Sequence, residues 1–171
     1  MRDRRGVSAV EFALIVPVLI LMYVGIAEIG NALTIYRRTS VVASTAADLT
    51  AQTKAVSTAD LQDITAASSS ILTPYPTTPL KIVLSSVVAD QNNNGKVAWS
   101  YASKGSARGV NSSYAVPPGL TEPNSSVIVA EITYDFTPLV DLKTFFSPGA
   151  FAMKRTFYAR PRRSLTVTKT N

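Results

Sequence analysis

The sequence predicts an α+β protein: one long N-terminal helix carrying a small head with a four-stranded antiparallel sheet. Three observations carry this. A long apolar run opens the chain, a helical pattern continues it into the fifties, and beyond a cluster of prolines the apolar period changes to two.

The apolar run extends from Val7 to Ala27 and holds one charge, Glu11. About 20 apolar helical residues cross a hydrocarbon core of roughly 30 Å. Met1-Arg2-Asp3-Arg4-Arg5-Gly6 precedes it, and the arginines predict a cytoplasmic N-terminus with the rest of the chain outside. A secretory signal peptide would have a shorter apolar region followed by a small-residue cleavage site. Here the pattern continues instead: Ile35, Thr39, Val42, Ala46 and Leu49 fall at helical spacing and form one largely apolar stripe. A helix over residues 7–54 would be about 70 Å long at ~1.5 Å per residue, far more than a membrane needs. Its outer half must therefore pack on something. Pro17 lies inside the span, where it removes a backbone hydrogen bond and favours a kink. Gly25 and Gly30 either soften the helix, allow close helix approach, or are simply tolerated.

Glu11 does not fit a plain anchor. An ionised carboxylate in hydrocarbon is costly and marks a functional position with a partner. If the chain were cut after Gly6, Val7 would carry a free ammonium group one helical turn from Glu11, at i and i+4. The alternative is an acid near enough to the interface to stay hydrated.

The stretch Arg4-Arg5-Gly6-Val7-Ser8-Ala9-Val10-Glu11-Phe12-Ala13-Leu14-Ile15-Val16-Pro17 resembles the TadE-like pilins of the tight-adherence (Flp/Tad) system, with their G-x-x-x-x-E-[FY] pattern after a short basic leader. Gly25-Ile26-Ala27-Glu28-Ile29-Gly30 resembles the family's G-x-x-E-x-G region, so the likeness covers roughly residues 4–50. The resemblance implies a prepilin peptidase cutting between Gly6 and Val7, Glu11 as the acid of the motif, and Phe12 as the aromatic beside it. It implies other pilins as partners, the major Flp pilin and minor ones, together with an inner-membrane assembly platform. The chain departs from the major Flp pilin in being much longer, which points to a minor pilin or pseudopilin.

In the head, Ser57 with Asp60 three residues on reads as a loose capping box. Leu61, Ile64, Ser68, Ile71 and Leu72 follow at helical spacing, all but the serine expected to pack, and Pro74, Pro76 and Pro79 end the helix. Four strands are predicted. Ile82, Leu84 and Val88 mark the first, and Val97, Trp99 and Tyr101 the second. Ile128, Ala130, Ile132, Tyr134 and Phe136 mark the third, alternating with Val127, Val129, Glu131, Thr133 and Asp135. Phe151, Met153, Arg155 and Phe157 mark the last, with Tyr158 on its other face. The sheet is expected to have one solvated face, with the two helices covering the other. Lys104–Asn124 and Asp141–Ala150 read as loops, the first long enough to bind something or merely to connect.

Asp90-Gln91-Asn92-Asn93-Asn94-Gly95 matches the first half of a calcium loop, but the twelfth position holds Tyr101 in place of an acid. A hairpin whose Asn-Gly supplies positive backbone angles is the preferred reading. Trp99, Phe145, Phe146, Phe151, Phe157 and Tyr158 are expected in the core in preference to a binding surface.

The chain contains no cysteine and no histidine, which excludes disulfides, Cys-His and Ser-His-Asp catalysis, and histidine-ligated metals. Glu131 and Asp135, about 13 Å apart along a strand, are too distant for paired-carboxylate chemistry. No catalytic, cofactor or metal residue is assigned, nor a small-molecule substrate. The net charge of +6 is partly a leader property. The rest gathers at Lys154, Arg155, Arg160, Arg162, Arg163 and Lys169, read as a solvated strand edge and tail in preference to a nucleic-acid patch.

The expected organisation is a basic cytoplasmic leader over 1–6, a long helix over 7–55 with its membrane half at 7–27, and an extracytoplasmic head over 56–171. The expected location is the bacterial inner membrane, single pass, with the head periplasmic and, in an assembled pilus, extracellular. Two roles remain open at this point besides a minor pilin: a permanently tethered scaffold or binding protein that keeps its leader, and an adhesive or nucleic-acid-capturing head.

Overall fold

The computed structural model describes residues 5–138 and 151–170. The leader residues 1–4 and the predicted second loop, with Phe145 and Phe146, lie outside the described residues.

Helix α1 runs unbroken over Arg5–Ala51, through Pro17. A two-residue strand β1 (Ala55–Val56) follows, then α2 (Thr58–Ser69), which tightens into a 3-10 turn over Ser70–Leu72. The capping box forms in full. Ser57 Oγ accepts from Asp60 N at 3.1 Å, and Asp60 Oδ2 accepts from Ser57 N at 2.8 Å. Ser68, expected to be a bystander, is fully buried beside Leu61 and Leu72.

Strands β2 (Leu80–Ala89), β3 (Gly95–Ala102), β4 (Ser126–Phe136) and β5 (Phe151–Ala159) form one antiparallel sheet in the order β3-β2-β4-β5. The class is therefore α+β, as predicted. The outer half of α1 packs on the sheet through Ile35, Thr39, Val42, Ala43, Ala46, Ala47 and Thr50, all buried. Five of these seven residues are alanine or threonine. The two threonine hydroxyls are satisfied within the helix, Thr39 by Tyr36 O and Thr50 by Ala46 O, each at 2.8 Å. Leu49, placed on this stripe by spacing, is only half-buried; Thr50 takes its place.

Two expectations about the sheet are corrected. Spacing alone predicts Val97 and Trp99 on one face. A bulge between Ser86 and Val87 puts Val97 opposite Val87 and Trp99 opposite Ser86, so the extra residue Ala98 turns them to opposite faces. Trp99 joins the main core and donates from Nε1 to Val167 O at 2.7 Å. The second face is also not fully solvated. Val87, Val97, Val127 and Val129 form a second buried cluster there, covered by Tyr114 and Val116 from the long loop and by Tyr158.

The tail is tied down. Thr168–Lys169 forms strand β6, parallel to β1, and Arg162 N donates to Ala51 O at the end of α1 at 2.9 Å.

Candidate processing and assembly segment

The residues singled out from sequence sit on one continuous helix. Gly6, Val7, Glu11, Phe12 and Pro17 all lie in the first turns of α1. Val7 is 59% and Phe12 67% exposed. Val7 and Glu11 are one turn apart, on the same side. Among the described residues no cation pairs with Glu11 in the uncut chain, where the Val7 nitrogen is a peptide group. The most apolar window of α1 has mean hydropathy 2.4, and none of it is buried by protein. Leu14, Val18, Ile20, Leu21, Met22 and Ile26 point in every direction around the axis. A helix apolar all round is stable only within an apolar surround, and this one is long and apolar enough to cross a membrane once.

Higher up, charged side chains fasten α1 to the head. Arg155 on β5 lies over the Tyr36 ring, with Cζ 3.7 Å from its centroid. Arg38 donates to Ile71 O at 2.8 Å and to Thr73 O, and its guanidinium stacks on Tyr75. Arg162 pairs with Asp48, bringing positive charge to the C-terminal end of α1, whose own last turn has no basic residue. Arg160 holds the carbonyls of Leu120 and Gly119. Lys154, Arg160, Arg162, Arg163 and Lys169 are exposed, in keeping with the solvated reading, yet Arg160 and Arg162, like the half-buried Arg155, also make contacts within the protein. Charge alone gave no sign of these pairings, because their partners lie far away in sequence.

Other candidate chemistry resolves into structure. Asp90–Asn94 is the β2–β3 hairpin turn. Asp90 Oδ1 accepts from Asn92 N at 2.9 Å and Asn94 N at 2.8 Å, which holds its carboxyl below the usual range. The positive φ falls on Asn93, not on Gly95. Gly95 is needed for a different reason: a Cβ there would lie 2.5 Å from Tyr114 O, beneath the covering loop. Glu131 receives Arg108 through two bonds of 2.6 Å, and Asp135 pairs with Lys81 at 2.8 Å. Arg108 also lies over the Tyr114 ring, whose phenol is pushed above the usual range by burial and a hydrogen bond with Tyr158. Among the described residues no group of three metal-ligating side chains converges. Trp99 is in the core as expected, whereas Phe151 and Phe157 are 46% and 42% exposed. Both are on β5, an edge strand that α1 covers only partly.

Neither a curated protein nor a solved structure matches the chain. Residues 6–48 match the family described as TadE-like protein, a segment that begins at Gly6 and ends where α1 is fully packed on the head, so the N-terminal helix of this chain is TadE-like.

Proposed function

We propose that the chain is a minor pilin, or pseudopilin, of a Tad (Flp)-type pilus, with a structural role and no catalytic one. A prepilin peptidase removes residues 1–6, and Val7 becomes the new N-terminus. The mature subunit waits in the inner membrane through residues 7–27 with its head outside, then packs α1 among the helices of the major pilin and other minor pilins on the assembly platform. Its head is far larger than a short fibre subunit could carry, which suits a place at the tip, in priming assembly or in surface adhesion.

The observation that carries this reading is the split character of α1. One uninterrupted helix is buried in its own head above Ile35 and uncovered below Glu28, and the uncovered part contains the Gly6–Phe12 motif. Removal of Met1–Gly6 would place an ammonium on Val7 within reach of Glu11, neutralising a charge that hydrocarbon penalises.

Glu11→Ala tests the mechanism in cells. Membrane insertion should persist, because the substitution makes the span more apolar. Incorporation into pili, measured by immunoblot of sheared filaments, should fall sharply. Normal incorporation of the variant would refute the role given to Glu11.

A further inference from the structure

We propose that the base of the head is itself a membrane-contact surface, resting in the lipid headgroup layer through Phe151, Tyr75 and Pro76. This rests on the membrane-anchored reading of α1 given above and adds a second, independent point of contact.

The level of the base follows from its neighbours on α1. A cavity of about 260 Å³ lies between the helix and the head, bounded by Glu28, Asn31 and Ile35 on α1 and by Tyr75, Pro76 and Phe136 among the head residues. The apolar run ends at Ala27, so these helix positions lie roughly 1.5 to 12 Å beyond it at ~1.5 Å per residue. A headgroup layer is roughly 5–8 Å deep on each side. Among the described residues α1 begins to pack on the head at Ala32, about 7.5 Å beyond the apolar run at ~1.5 Å per residue, which brings the described base to the level of the headgroup layer.

The composition of the base suits that place. The Pro74–Pro79 loop carries no charge and presents Tyr75 half-buried and Pro76 exposed. Phe151 opens β5 directly opposite Phe136, with ring centroids 5.2 Å apart; Phe136 is buried while Phe151 is 46% exposed. Aromatic rings with one apolar and one wet side favour the membrane–water boundary. Lys104, exposed beyond the end of β3 at the sheet edge opposite Phe151, is tied to Thr77 O and Thr78 O at 3.2 and 3.0 Å, so an ammonium stands next to the Pro74–Pro79 loop at the level where lipid phosphates would lie. Asp135, the acid on the sheet near the base, already pairs with Lys81.

The test uses the full chain in phosphatidylcholine vesicles. Single tryptophans are introduced by Phe151→Trp, by Phe157→Trp and by Leu14→Trp, and the emission of the buried Trp99 is subtracted using the wild type. Phe157 lies on the same strand roughly 20 Å above Phe151 at ~3.3 Å per residue. The Phe151→Trp signal should be quenched by a nitroxide placed just below the headgroups more than by one at the bilayer centre, and shielded from aqueous iodide. The Phe157→Trp signal should respond to iodide and to neither nitroxide. Pro76→Trp should behave as Phe151→Trp does, which covers the case in which that variant misfolds. Iodide quenching at both Phe151→Trp and Pro76→Trp, with deep nitroxide quenching at Leu14→Trp, would overturn the contact while leaving the anchor intact. Loss of lipid quenching at Leu14→Trp would overturn the anchor itself. Equal lipid quenching at positions 151 and 157 would also overturn the proposal, since the sheet would then lie flat on the membrane.

Discussion

Ile29 and Ile35 stand six residues apart on one helix, yet Ile29 is 62% exposed and Ile35 only 4%. Below Glu28 the apolar run of α1 has, among the described residues, no protein packed against it. Above it, the apolar residues narrow to a stripe of alanines, threonines, isoleucine and valine facing the sheet, and arginines clasp the helix from the head. The same secondary structure serves two environments, and the sequence marks the change by where the side chains stop being uniformly apolar. A helix that only anchored a domain could end at its membrane exit. This one continues as a wall of the head's core.

The largest effect should separate the two halves directly. Ile35→Ala removes a buried side chain and is expected to destabilise the head by about 2–5 kcal/mol, read as a lower urea midpoint in detergent. Ile29→Ala should leave the midpoint unchanged. Equal losses would mean that the lower half also has a protein partner within the subunit.

The next effect probes the covered face of the sheet. Gly95→Ala pushes a methyl group against Tyr114 O and Val87 Cγ1, and the loop must move; about 1–3 kcal/mol of stability should be lost. A neutral result would show that the loop cover is loose and that the valine cluster does not depend on it.

A smaller effect concerns the start of α2. Ser57→Ala breaks the capping box of α2 and should cost roughly 0.5–2 kcal/mol. The same box gives an acid limb. Hydrogen bonds from Ser57 hold the Asp60 carboxyl below its usual range. A depressed folded value favours the ionised form, so this stability is complete above about pH 4 and is lost as pH falls below it through the lowered value. In Asp60→Asn this contribution to the acid dependence should disappear; an unchanged profile would assign the acid limb to other carboxyls.

Much of this architecture could be read from the chain. The long helix was legible because its pattern is unbroken from Val7 onward. The second helix was legible from Ser57, Asp60 and the three prolines, and the strands from their alternation. What escaped was non-local. The bulge at Ala98 leaves the sequence Val97, Trp99, Tyr101 looking like one face, because only the partner strand shows the shift. Val127 and Val129 sit on the supposedly wet face, and their cover comes from Tyr114 and Val116 in a segment with no periodicity. Two-residue strands such as β1 and β6 are too short to have a period at all, so nothing in the sequence marks the fastening of the exposed tail. In the N-terminal segment, the position and spacing of Gly6, Val7 and Glu11 are sequence features that the helix preserves. An amino group at Val7 would exist only after the proposed cut.

The most direct test of the account is the mass of the N-terminal peptide of the protein recovered from membranes of cells that also make the cognate prepilin peptidase. The account predicts a chain beginning at Val7. A chain that still begins at Met1 would contradict it and indicate a permanent tether, and a cut near Gly30 would mean that the lower half of α1 is a signal sequence.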